Sequence, residues 1–278
     1  MTDGDHRPEW NDVDTDADEA RAYLDTVTGL EGIQDYKRRS HQLLRPTQGD
    51  RILDAGCGMG DDVVMLSERV GPEGEVIGVD KSESLIEEAR ERTGDMDTVC
   101  FRVDDVMQLS FEDGTFDGCR ADRVLQHLDD PRGALTEMRR VTRPGGRLTV
   151  SGPDWDTCIV AMPDTDTEVT NAVTDSKWAD SLNPTIGRRL YALIREVGLT
   201  DIDIDPVSIV LTDFEIVNEV LYLEERLARM REAGILSAEQ ANQWIENARR
   251  AGGDELLFGS LTGFTVGGTV PVEGASSS

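Results

Sequence analysis

The chain has 278 residues and a formal net charge of −28, from 56 acidic and 28 basic residues. That length supports one large domain with a substantial core, and no apolar run reaches the ~18 residues that a membrane-spanning helix needs. The acid excess repels phosphate backbones and anionic lipids, so nucleic-acid partners and membrane insertion are excluded as expectations.

Residues 1–18 read as an acidic disordered tail. The tail has neither the cationic start nor the apolar block of a secretory signal, and a cytoplasmic location is expected. Residues 19–45 read as an N-terminal helical cap. In it Ala20, Leu24 and Val27 share a face, "GLEG" breaks the pattern, "IQDYKRRSHQLL" resumes it and Pro46 closes it. A regular alternation of strand and helix then occupies the main domain, residues 46–271. "RILDAG", "EVIGVD", "VCFRVDD", the end of "FEDGTFDGCRA" and "RLTVSGP" are strands. "DDVVMLSERV", "SESLIEEARERT" with Ser82 as N-cap, and "PRGALTEMRRV" are helices. The alternation predicts an α/β fold: a Rossmann-like, seven-stranded, mostly parallel sheet with helices on both faces.

Beyond residue 154 the rhythm changes. A loop-rich stretch leads to the helix "IGRRLYALIREVG", stopped by Gly198, and then to an edge-like strand interrupted by Pro206. A helical insertion, about 212–257, carries patterns over 214–233 and 238–250. In the first, Ile216, Val220, Leu223, Leu227 and Met230 form a stripe expected to pack as a lid, with a homodimer seam as the alternative. The chain returns to strand at "ELLFGSLTGFTVGGTVP", and residues 272–278 read as a flexible tail.

Cys57, Cys100, Cys119 and Cys158 are spaced like neither a disulfide framework nor a zinc site, so reduced thiols and no metal are expected. Only Lys37, Lys81 and Lys177 are lysines, against 25 arginines. Acid excess with scarce lysine fits the cytosol of an extreme halophile, where molar salt cuts the Debye length to ~3 Å. An ordinary acidic protein of a GC-rich genome is the plainer alternative.

In "LDAGCGMG", Gly56, Gly58 and Gly60 stand between a strand and a helix. Nicotinamide-binding loops show G-x-G-x-x-G with a pyrophosphate over the helix N-terminus. Here that helix opens on Asp61 and Asp62, which would repel a pyrophosphate. Asp80 ends the next strand, 20 residues after Gly60, where an acid can accept both ribose hydroxyls. Asp104 and Asp105 end the third strand, where a carboxylate can accept an adenine amine. The implied ligand is a nucleoside with a cationic or zwitterionic head.

The motifs "ILDAGCGMG", "VIGVD", "FRVDDVMQLSFEDGTFDGCRADRVLQHLDDP" and "RPGGRLTVSGPDW" follow one another at proper spacing. With them the chain resembles the class I S-adenosylmethionine-dependent methyltransferases, closest to the ubiquinone/menaquinone-type group of small-molecule enzymes. The resemblance implies S-adenosyl-L-methionine as cofactor and a small-molecule acceptor, quinol-like or aromatic, methylated on oxygen or carbon. It implies that Gly56, Gly58 and Gly60 wrap the methionine portion and that Asp54 orients the loop and faces the ammonium, directly or through water. Asp80 would hold the ribose, Lys81 would lie beside the adenine, and Asp105 and Val106 would meet its amine and ring edge. The backbone around Ala121, and Arg123, would reach the methionine end. Asp104 departs from the glycine usual before the adenine acid, and Lys81 from a neutral residue. The competing readings are a nicotinamide-dependent oxidoreductase and a non-catalytic S-adenosylmethionine-binding protein.

His127 follows the fourth strand and Asp154 the fifth. Those strands are neighbours in this fold, so a base and its orienting carboxylate are expected there, with packing roles as the alternative. Trp155 is expected to flank an aromatic acceptor or to pack. Tyr36, Arg38 and Arg39 are expected to cap the cofactor carboxylate or to decorate a solvated face.

Overall fold

The computed structural model describes residues 29–179 and 181–272. The expected tail over residues 1–18, and Ala20, Leu24 and Val27 of the cap, lie outside the described residues. Helix α1 (Glu31–Leu44) precedes the sheet. Strand β1 (Arg51–Ala55), helix α2 (Asp61–Val70), β2 (Glu75–Asp80), α3 (Glu83–Thr93), β3 (Val99–Val103), β4 (Phe116–Asp122), α4 (Pro131–Val141) and β5 (Thr142–Ala161) then follow. After them come α5 (Thr167–Thr174), α6 (Ile186–Glu196), β6 (Thr200–Leu211), α7 (Phe214–Leu221), α8 (Leu223–Glu232), α9 (Ala238–Gly253) and β7 (Phe258–Thr269). Among the described residues no helix is long and apolar enough to cross a membrane.

The seven strands form one sheet in the order β3-β2-β1-β4-β5-β7-β6. The first five pair in parallel, and β7 runs antiparallel to both β5 and β6. This is the Rossmann-like sheet that the alternation predicts. The chain winds outward from β1 to β3 and then returns to the other side of β1 with β4. That reversal opens a crevice at the strands' carboxyl ends, where open α/β sheets bind ligands. Contrary to the expectation, Pro206 does not interrupt its strand: β6 is the sheet edge, where proline is tolerated, and its register with β7 runs unbroken from Asp205 through Pro206 to Val207.

Local chemistry sets the element ends. The Ser82 hydroxyl accepts the Leu85 N–H at 3.2 Å and starts α3. Asp130 does the same for Gly133 at 2.9 Å, with Pro131 at the first helical position of α4. Val76, Ile77 and Val79 of β2 are fully buried, as a strand covered on both faces requires. Leu53, Ile77, Leu135, Leu148 and Ile194 belong to the core on one face. Leu44, Val63, Leu66, Ile86 and Phe101 belong to that on the other.

A third apolar cluster joins α7–α9 to Trp155, Cys158 and Val160 of β5. Here the structure corrects the sequence. The single helix expected over 214–233 is two, broken at Tyr222, whose φ is 55°. The break lets Leu221 and Leu223 both bury completely while Tyr222 turns to the crevice. Strand β5 is also much longer than "RLTVSGP", because its second half carries the pairing to the Phe258–Ser260 end of β7 beyond an irregularity after Asp154.

Candidate active site

The β1–α2 loop is tied down from below. The N–H groups of Gly56 and Cys57 donate to the Val79 carbonyl at 2.7 and 2.9 Å. All three glycines have left-handed backbones, with φ of 78°, 51° and 85° at Gly56, Gly58 and Gly60. Gly56 and Gly58 line the crevice. Gly60 does not, because its space is taken by packing: a Cβ there would lie 2.6 Å from the Phe101 ring.

The acids beside the loop divide into two groups. The first has only N–H and O–H partners. Asp80 accepts from Gly58 N at 3.0 Å and from Ser82 N at 3.0 Å, so it holds the glycine loop as well as facing the crevice. Burial pushes its carboxyl up, and those backbone donors pull against it. Asp104 ties its own loop through Asp105 N, Ser110 N and Ser110 Oγ. Asp105 accepts from Met107 N at 2.9 Å. Asp80, Lys81, Asp104, Asp105, Val106 and Arg123 all line the crevice.

The second group is buried with cations. Arg120 is fully buried and reaches Asp54 at 3.1 Å, Asp62 at 3.1 Å and Asp122 at 3.4 Å. Asp62 also meets Lys37 at 3.0 Å and His41 Nε2 at 2.9 Å. The Tyr36 hydroxyl donates to Asp122. Burial, then the Asp122 carboxylate, pushes the Tyr36 hydroxyl well up. Burial also opposes ionisation of Asp62, but Arg120 and Lys37 hold its carboxyl well below the usual range. Asp54 is pushed up to about 7 by burial, against the pull of Arg120. Burial pushes His41 down, so its ring is neutral at pH 7.

The structure places two of the expected residues behind the crevice wall. Asp54 does not face the crevice but sits beneath the loop, 1% exposed, committed to Arg120. Ala121 is equally buried, and its successors Asp122, Arg123 and Val124 form the wall instead. Asp122 ends β4 as Asp54 and Asp80 lie at the ends of theirs, so the same strand-end argument could have found it.

The rest of the crevice is apolar and aromatic. Ile33, Trp155, Ile209, Val220, Tyr222 and Leu261 come from five elements spread along the chain. His127 also lines it, in a 3-10 turn after β4, with Nε2 2.8 Å from the Gln126 amide nitrogen. Burial, then Arg123 and Lys81, push the imidazole down to about 3, so it is neutral at pH 7. The expected pairing with Asp154 is not formed. Asp154 is buried and bound by Arg188 of α6 through both Nε and Nη2, the latter at 2.7 Å. Neighbouring strands bring β4 and β5 together, but α6 supplies the stronger partner for the carboxylate. Of the N-terminal candidates, Tyr36 reaches the crevice, while Arg38 pairs with Asp35 and Arg39 with Asp205 in exposed ion pairs.

A family model described as a methyltransferase domain matches residues 46–198. The chain belongs to that family. Demethylmenaquinone methyltransferase of Staphylococcus aureus is 37% identical over 125 residues, covering 45% of this chain and 52% of that protein. A 37.1 kDa protein of transposon TN4556 of Streptomyces fradiae is 37% identical over 228 residues, covering 81% of this chain and 65% of that protein. This methyltransferase-family chain thus spans between about half and two thirds of the length of these curated relatives. The structure of the YcgJ protein from Bacillus subtilis superposes with a TM-score of 0.60 at 17% identity, covering 86% of this chain and 99% of that one, a likeness of fold.

Proposed function

We propose that the chain transfers a methyl group from S-adenosyl-L-methionine to oxygen or carbon of a small, aromatic, quinol-like acceptor. The observation that carries this reading is that one crevice joins two chemically different halves. One half is the glycine loop with Asp80, Asp104 and Asp105; the other is apolar and aromatic, around Trp155 and Tyr222.

The residues present fit the cofactor. Gly56 and Gly58 leave backbone without side chains for close approach of the methionine portion. Asp80 keeps acceptor capacity for ribose hydroxyls beyond its two backbone bonds. Asp105 and Val106 suit an adenine amine and ring edge, with Lys81 beside them, and Asp122 and Arg123 suit the charged methionine end. Acids without a salt-bridged cation suit a ligand with positive charge. The bound cofactor would supply a methyl carbon activated on a sulfonium. The chain's own contribution is to bind and orient: apolar walls exclude water and hold a ring, which can lower a barrier by up to ~7–11 kcal/mol. Neutral His127 is the polar group suited to an acceptor hydroxyl. With Asp154 committed to Arg188, positioning outweighs proton removal in this reading. The quinol-like acceptor is supported by the 37% identity to a demethylmenaquinone methyltransferase over 125 residues.

Titration calorimetry tests the reading. S-adenosylhomocysteine should bind and NAD should not, and Asp80→Ala should weaken the former by ~1.5–3 kcal/mol, the scale of a charge-assisted hydrogen bond. Tight NAD binding with no response to S-adenosylhomocysteine would overturn it.

A further inference from the structure

Helix α8 buries an arginine whose charge meets no salt-bridging carboxylate. Arg226 is 0% exposed. Its Nη1 donates to the Val173 carbonyl at 3.1 Å, while Nε and Nη2 have no hydrogen-bond partner. Those two nitrogens share one edge of the guanidinium, the edge that meets a carboxylate through two parallel bonds. The guanidinium lies 5.0 Å from the centre of the Trp155 ring, and the Trp155 indole N–H is itself buried without a partner. The Trp178 indole N–H, packed against the same cluster, is another.

The surroundings answer the charge only in part: the Trp155 ring face lies under the guanidinium, and among the described residues no carboxylate pairs with it. Asp175 acts on Arg226 through space, but its carboxylate is bound to Lys177 at 3.1 Å and to Lys177 N at 3.0 Å. Cys158 is buried, and burial raises its thiol. Arginine does not shed its proton to escape burial. A buried cation without a paired carboxylate is costly in a core, and replacing such a group by an apolar one is often neutral or stabilising. The unpartnered atoms in this cluster are all donors, so the missing ligand is an acceptor and, given the guanidinium, an anion.

The cluster adjoins the crevice. Trp155 and Tyr222 line it, and the Arg226 N–H donates to the Tyr222 carbonyl at 2.9 Å. Arg226 therefore stands one helical turn, ~5.4 Å, along α8 from a wall residue. Tyr222, at φ 55°, is the joint between α7 and α8.

Resting on the methyltransferase reading, we propose that the acceptor is an aromatic carboxylate whose carboxyl group is bound by Arg226 Nε and Nη2 beside the Trp155 N–H. Arg226 is fully buried and does not itself line the crevice, so the carboxyl group reaches this edge only if α8 turns at its Tyr222 joint. Acceptors with the ring but not the charge leave the guanidinium bare and are discriminated against.

The test uses the full chain saturated with S-adenosylhomocysteine, whose own binding reports separately on the methyltransferase reading. 2-Naphthoate, 2-naphthamide and 2-naphthyl phosphate are titrated by calorimetry. The naphthoate should bind at least about tenfold tighter than the amide, the scale of one charge-assisted interaction. Arg226→Met should abolish that preference, leave S-adenosylhomocysteine affinity unchanged and raise the melting temperature. Should that variant not fold, Arg226→Lys, which keeps the charge and loses the bidentate edge, should lose most of the preference. Equal affinity for acid and amide, no binding of the acid at millimolar concentration, or a preference that survives in either variant overturns the proposal. Tightest binding of the phosphate overturns the carboxylate in favour of a phosphorylated acceptor.

Discussion

Replacing Gly56 by alanine tests the geometry of the glycine loop directly. Gly56 has φ 78°, and a Cβ there would stand 2.2 Å from Val124 Cγ2. The left-handed backbone costs an L-residue about 1–2 kcal/mol. The clash adds an overpacking cost of about 1–3 kcal/mol, since Val124 must move into the crevice it lines. Together Gly56→Ala should lose about 2–5 kcal/mol, a large share of an ordinary domain's ~5–15 kcal/mol. Urea denaturation measures this. Gly94→Ala is the control, with φ 58° and nothing within 4 Å of the added Cβ, so only the backbone cost of about 1–2 kcal/mol is expected. Adding Val124→Ala to Gly56→Ala should return the overpacking share and leave the backbone share. S-adenosylhomocysteine affinity should fall about tenfold in the single variant, because Val124 displaces into the binding region. A Gly56→Ala protein as stable as the Gly94→Ala control would refute the account, because the close approach to Val124 would then have no energetic consequence.

Two further expectations concern solution conditions. With a charge of −28, the fold should melt at higher temperature as KCl rises from low to molar concentration, because screening relieves self-repulsion; a flat or falling curve refutes the halophile reading. His127, pushed down to about 3, binds a proton only below that pH and stays neutral from pH 5 to 8. Turnover should therefore show no histidine-shaped rise across that interval, and a rise with a midpoint near ~6.5 that disappears in His127→Ala would contradict the assigned environment.

The half of the crevice that was legible in the sequence is contiguous in the sequence. Gly56–Gly58, Asp80–Lys81 and Asp104–Val106 are each a strand end with the loop that follows, so the strand-turn-helix pattern carries both the element and the site. The other half comes from β5, β6, α7 and β7 together with α1, and no local pattern announces that Ile33 meets Trp155 and Leu261. The His127–Asp154 pairing failed for a related reason. Strand adjacency fixes which backbones are neighbours but not which side chain wins a carboxylate, and Arg188 stands 34 residues away in the chain. Spacing also does not announce that the side-chain space at Gly60 is filled by the Phe101 ring.

The ion cluster beneath the loop explains how so acidic a crevice can hold its shape. Arg120 and Lys37 are shared among Asp54, Asp62 and Asp122, which fixes α1, β1, α2 and β4 to one another. Of these elements α1 lies before residues 46–198, the stretch that the family shares, so part of the site's support is supplied from outside it. The carboxylates left without a salt-bridged cation, Asp80, Asp104 and Asp105, face the crevice. The cofactor side thus carries Asp80, Asp104 and Asp105 together with Lys81 and Arg123, and Arg226 stands behind the aromatic side. The anionic acceptor proposed above would be repelled by these carboxylates and drawn to Arg226, which would keep it out of the cofactor's place. The same reasoning couples activity to salt. A carboxylate approaching a surface of −28 is repelled over the ~10 Å Debye length at ~0.1 M ionic strength but over only ~3 Å at ~1 M, whereas the buried contact with Arg226 is screened far less. On that proposal, screening should shorten the range of the barrier to the acceptor's arrival while largely preserving the attraction that holds it, so acceptor affinity should rise with KCl.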